Sequence, residues 1–108
     1  MKTGDLVLIP FPFAELTNRK VRPAAVVCET KDRYRDLVLC AISSVVPQTL
    51  TENEIVLESN PETGLRVKSV LKVDRIATAK NQDVITRIGE LGNTQLRDFK
   101  EKFKHLID

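Results

Sequence analysis

Apolar residues in this chain come in short runs, and only its last segment carries a helix-length stripe. Leu6-Val7-Leu8-Ile9, Val21 to Val27, Leu37 to Ile42, Glu54 to Leu57, Ser69 to Asp74 and Val84 to Ile88 each read as a strand. The third is apolar at every position, which suits a central strand covered on both faces. Pro10 and Pro12 close the first run, because proline fixes φ and offers no amide to a ladder. Ala14 to Lys20 is polar and turn-like, and Asn60-Pro61-Glu62-Thr63-Gly64 is a turn cluster between the fourth and fifth runs. After Gly92, with Asn93 as a suitable N-cap, Leu96, Phe99, Phe103 and Leu106 recur at helical spacing. Five or six short strands followed by one amphipathic helix predict a mainly β fold. The expected form is a small, strongly curved antiparallel barrel with the helix packed across it.

A length of 108 residues allows one core, so residues 1–108 are expected to form one domain. No apolar run approaches the ~20 residues of a membrane span, and the first residues lack a secretory signal, so a cytoplasmic location is expected. Cys28 and Cys40 lie in apolar runs and read as small buried hydrophobes. Net charge is only +2, but its distribution is uneven. Arg19, Lys20, Arg22, Lys31, Arg33 and Arg35 form one basic stretch; Arg66, Lys68, Lys72, Arg75, Lys80 and Arg87 form another. If the fold joins them, phosphates are attracted; otherwise they are ordinary solvated surface.

Elimination narrows the chemistry. His105 is the only histidine and lies off the apolar helix face, so a two-histidine mechanism is excluded. No metal-ligand spacing and no phosphate-cradling glycine loop occur, so neither a metal nor a cofactor is expected. The carboxylates Asp5, Glu15, Asp36 and Asp74 stand apart from one another. Two positions remain. Arg22, beside Pro23, precedes an aliphatic strand, and Ser43-Ser44 ends the most apolar one. An arginine fork and a rotatable hydroxyl at neighbouring strand ends could hold one phosphate. On the residues alone, a surface ion pair for Arg22 and a turn hydroxyl for Ser43 are the favoured explanations.

Several motifs run in one order along the chain: Gly4 to Phe13, Lys20-Val21-Arg22-Pro23-Ala24-Ala25-Val26-Val27, Cys40-Ala41-Ile42-Ser43-Ser44, Val73-Asp74, and Ile88-Gly89-Glu90-Leu91. Together they resemble the MazF/PemK family of type II toxin ribonucleases. The resemblance implies an SH3-like barrel of the MazF/PemK/CcdB kind, a homodimer, single-stranded RNA as substrate and a cognate antitoxin as partner. It assigns catalysis to Arg22 and Ser43, and a possible catalytic or RNA-binding role to Asp74 and Lys72. Arg19, Lys20, Arg75 and Lys80 are the further RNA-binding candidates. The implied reaction is metal-independent: the RNA's 2′-OH attacks, leaving a 2′,3′-cyclic phosphate and a 5′-hydroxyl. Two alternatives share the fold: a non-enzymatic toxin that binds DNA gyrase, and a decayed member that binds RNA without cutting it. Arg22-Pro23 and Ser43 favour the ribonuclease, since a protein-binding poison does not need them.

Overall fold

The computed structural model describes residues 1–10 and 20–107. The expectations for the segment 11–19, including the extended Phe11-Pro12-Phe13, the polar loop and Arg19, lie outside the described residues. Six strands are present: β1 (Asp5–Pro10), β2 (Val21–Glu29), β3 (Leu37–Ser43), β4 (Glu54–Leu57), β5 (Ser69–Ala79) and β6 (Thr86–Glu90). They are followed by α1 (Asn93–Lys104). All pairings are antiparallel, in the order β4-β5-β3-β2-β1-β6, and the sheet curls into a half-barrel.

β3 lies inside the sheet, and its apolar run serves two cores, as its composition demands. Cys40 and Ile42 join Leu6, Ala25, Leu57, Leu71, Val73 and Phe99 in one cluster. Leu37 and Leu39 join Val7, Ile9, Ala24 and Val26 in the other, on the opposite face. The helix covers the first cluster. Phe99 is its buried anchor and meets the Phe103 ring edge-on at 6.4 Å, while Leu96, Phe103 and Leu106 are half-buried around it. Lys102 Nζ donates to the Glu52 carbonyl at 2.7 Å, tying the helix to the approach to β4.

A turn joins the two outer strands. The Glu90 N–H donates to the Glu62 carbonyl at 2.9 Å, and the Leu91 N–H donates to Gly4 at 2.9 Å. This contact needs bare backbone: a Cβ on Gly89 would come within 3.0 Å of the Glu62 and Thr63 carbonyl oxygens. Gly64, at φ +68, is equally confined by the Ile88 carbonyl. The buried Asp5 carboxylate secures the same corner by accepting from the Lys2 N–H (2.9 Å) and Arg87 Nε (3.1 Å). Asp5 is thereby a structural acid.

Four sequence expectations shift. Gly92, in extended conformation and without a side-chain cap, is the N-cap; Asn93 is the first helical residue. The Gly92 carbonyl already accepts from the Leu96 N–H, so the helical ladder starts one residue early. The last strand runs Thr86–Glu90 because Asn81–Asp83 forms a 3-10 turn that turns Val84 into the second cluster. β5 extends to Ala79 across a bulge in which Val73, Asp74 and Arg75 have no rung on β3. Cys40 is buried but Cys28 is exposed, since a bulge between Val26 and Cys28 breaks the alternation that a straight strand would keep.

Candidate functional site

Pro23 shapes the end of the sheet. β2 pairs with β1 along its start, with Leu8 opposite Pro23 and Ile9 opposite Arg22. Its rungs to β3 begin only at Ala24–Ala41. Continued at that spacing, Ser43 would stand opposite Arg22, but Pro23 has no N–H to extend a ladder. Arg22 and Ser43 therefore lie at adjacent strand ends where the sheet has parted. Side-chain alternation puts both on the face shared by Ile9, Ala24 and Ala41.

At the same sheet end, against the opposite face that carries Leu8, Pro23 and Ile42, opens a cleft of about 570 Å³ that Arg22 lines and Ser43 does not. Leu8, Val21, Pro23, Ile42, Leu65, Val67 and Ile88 supply its apolar lining, and Ser44 and Ser69 supply hydroxyls. Among the described residues, Arg22 and Arg66 are its charged residues and no carboxylate lines it. Both guanidinium groups belong to exposed residues, and neither has an ion-pair partner among the described residues. Here the two basic stretches meet, one contributing Arg22 and the other Arg66. The arrangement suits a ligand with an apolar or planar part and a negative charge.

Ser44 lines the cleft, whereas the Ser43 Oγ accepts the Val45 N–H at 3.1 Å. That bond fixes the Ser43 oxygen and leaves its proton available to donate. Lys20 is exposed immediately before β2, on the Arg22 side.

The other candidates sit elsewhere. Val70 is opposite Ser43, so Asp74, exposed in the bulge, is farther along β5 by about 13 Å. Arg75 shares that bulge and is exposed. Lys72 faces Ala41 on one side and Glu54 on the other, with its Nζ 3.6 Å from a Glu54 carboxylate oxygen. Thr51, through its backbone N–H, and Lys72 hold the Glu54 carboxyl below its usual range against the opposing effect of burial. Lys80 follows Ala79, which pairs with Leu37 at the far end of β3, about 20 Å from Ser43. Within one chain, Asp74, Arg75 and Lys80 are thus not gathered around Arg22. No three His, Cys, Asp or Glu side chains among the described residues are grouped so that they could hold a metal ion. His105 is exposed and lies 3.6 Å from Glu101.

Sequence reasoning did not single out Arg66, Ser44 or Ser69 as site residues. Arg66 was visible only as one of six bases in the second stretch. The turn at Gly64, wedged against β6, is what carries it to the cleft.

Residues 2–107 match the family model for PemK-like, MazF-like toxins of type II toxin–antitoxin systems. The chain belongs to this family. The fold agrees with solved structures of it. MazF from Deinococcus radiodurans is 19% identical with a TM-score of 0.72, over 99% of this chain and 96% of that one. The Mycobacterium tuberculosis toxin MazF-mt6 is 17% identical with a TM-score of 0.71, over 96% of each chain. An endoribonuclease from a Mycobacterial species, solved in complex with its cognate antitoxin, is 13% identical with a TM-score of 0.72, over 99% and 94%. The search of curated proteins gives no match. No helix among the described residues is long and apolar enough to cross a membrane.

Proposed function

We propose that this toxin-family chain is an endoribonuclease that cuts single-stranded RNA, with Arg22 and Ser43 on the scissile phosphate. The observation that carries the reading is the sheet end where β2 and β3 stop pairing: Arg22 and Ser43 stand there at adjacent strand ends, and Arg22 with Arg66 rims a cleft that no carboxylate among the described residues lines. RNA brings its own nucleophile, so the protein needs only to align the 2′-OH with phosphorus and to stabilise the doubly charged phosphorane. The 2′-oxygen forms a bond to phosphorus as the bond to the 5′-oxygen breaks. The proton of the attacking 2′-hydroxyl passes to solvent and the departing 5′-oxygen takes one up, so the products are a 2′,3′-cyclic phosphate and a 5′-hydroxyl. Arg22 donates to the non-bridging oxygens with a fork that never loses its charge. Ser43, its oxygen oriented by the Val45 N–H, donates a hydrogen bond to the same phosphate.

Two associations accompany this reading. Exposed Val21 and Val67 at the cleft suit pairing of two copies, and a second copy is what could carry Asp74 and Arg75 toward Arg22. An acidic antitoxin tail with apolar anchors would match the cleft's lining and its arginines, and would compete with RNA.

The test is to incubate the purified protein with a long unstructured RNA in excess EDTA and to map the ends. Cleavage should persist, and a 2′-deoxy group at the cut should abolish it. Ser43→Ala should lower the rate by about 10²–10³, Ser43→Thr should be tolerated, and Arg22→Lys should remain badly impaired. Wild-type rates for both Arg22→Ala and Ser43→Ala, with folding unchanged, would overturn the assignment.

A further inference from the structure

The turn between β2 and β3 is built more firmly than a plain connection requires. The Thr30 N–H donates to the Asp36 carbonyl at 2.8 Å, and the Asp36 N–H returns a bond to the Thr30 hydroxyl at 2.9 Å. The Asp32 carboxylate accepts from the Thr30 hydroxyl (2.8 Å) and the Tyr34 N–H (3.1 Å). Asn81 Nδ2 reaches from the 3-10 turn to the Arg35 carbonyl at 3.3 Å. Arg35 completes the turn at φ 52, where a residue with a side chain is strained.

This stiff turn displays an aromatic ring and cations. Tyr34 is 62% exposed. The Arg33 guanidinium lies 4.9 Å from the ring centroid and donates to the Tyr34 hydroxyl at 2.8 Å, which fixes the ring's orientation. Asp32 is engaged by the turn, and Glu29 by the amino terminus (3.0 Å) and Arg35 (3.8 Å). Lys31, Arg33 and neighbouring Lys80 have no ion-pair partner among the described residues. A held aromatic ring with unpaired cations is the chemistry that takes an unstacked base and its phosphates. An acidic peptide would use the cations but has no need of the ring.

We infer that the β2–β3 turn is a second RNA contact, in which Tyr34 stacks a base while Lys31, Arg33 and Lys80 attract the flanking phosphates. The inference rests on the ribonuclease reading. It places this contact at the far end of β3 from Ser43, about 20 Å away. The turn therefore serves substrates that extend several nucleotides beyond the cut and contributes nothing to shorter ones.

Binding is measured by fluorescence anisotropy on single-stranded RNAs made uncleavable by 2′-deoxy substitution at the cut, one of about 5 nucleotides and one of about 16. Tyr34→Ala should weaken the longer RNA by about 5- to 150-fold and leave the shorter unchanged. Tyr34→Phe, which keeps the π face and loses only the Arg33 hydrogen bond, should retain most of the binding, whereas Tyr34→Leu, which keeps bulk without a π face, should behave like Ala. Lys31→Ala should reduce the salt dependence on the longer RNA only. Unchanged affinity of the Tyr34→Ala variant for the longer RNA would overturn the inference. Equal weakening on both lengths would overturn it too, as would a loss confined to a glutamate-rich peptide. If the wild-type protein neither binds nor cuts RNA, the ribonuclease reading falls and this inference with it. If it cuts and Tyr34 is silent, only the inference falls.

Discussion

Replacing Gly89 with alanine tests whether the junction of β6 with the 60–64 turn closes the fold. The added methyl would lie within 3.0 Å of two backbone carbonyl oxygens, Glu62 and Thr63, which have no rotamer with which to escape. The turn must move outward, and the bond from the Glu90 N–H to Glu62 is strained or lost. A lost backbone hydrogen bond is worth about 1 kcal/mol and forced overpacking about 1–3, so a loss of about 2–4 kcal/mol is expected. For a domain of this size that corresponds to a fall in melting temperature on the order of 10–25 °C. Gly92→Ala is the internal control. Its methyl would meet the Glu62 and Gln95 side-chain oxygens at 2.8 and 2.9 Å, and both can swing aside. That variant should lose less than about 1 kcal/mol. Urea unfolding of both proteins beside wild type decides the matter. A Gly89→Ala protein within about 0.5 kcal/mol of wild type would refute the account of the closed corner. Because Gly64 to Val67 line the cleft next to this corner, the same variant should also weaken RNA binding.

Three further outcomes are expected. Burial, with a contribution from the Asp74 carboxylate, pushes the Cys40 thiol up to about 12, so at pH 8 a thiol reagent should modify exposed Cys28 rapidly and Cys40 only on unfolding. The unfolded Cys40 ionises first, so this part of the stability is complete below about pH 9 and declines above it; equal labelling of both thiols in the folded protein would contradict the burial argument. Glu54 has its folded pKa depressed, so its contribution is present above the ordinary value of 4.5 and is lost as pH falls through the lower folded value; Glu54→Gln should flatten that acid limb in pH-dependent unfolding. Arg66→Ala should raise KM for RNA with kcat nearly kept, and lower the salt slope by about 0.7, the share of one phosphate on a single strand; an unchanged salt slope would remove Arg66 from the RNA path.

The sequence determined the strands and helix because each reports its own environment locally. Alternation across Ser69 to Asp74, a continuous apolar run in β3, and a helical stripe ending at Leu106 are consequences of burial on one face or two. The Arg22-Pro23 and Ile42-Ser43 pairs were legible for a related reason. An arginine before an aliphatic strand and hydroxyls directly after one are locally out of place. What the sequence could not express was register. Asp74 stands about 13 Å along β5 from the residue opposite Ser43 because the register pairs Ser43 with Val70, and no residue type there announces that register. Cys28 is exposed for the same reason, through the bulge in β2. The cleft depends on contacts between residues far apart in sequence: Pro23 ending a ladder, and Gly64 and Gly89 letting two backbones touch so that Arg66 lines the same cleft as Arg22. Local pattern encodes which face of an element is buried. Only the closed tertiary structure decides which ends of those elements meet, because that depends on distances between backbones the sequence does not state.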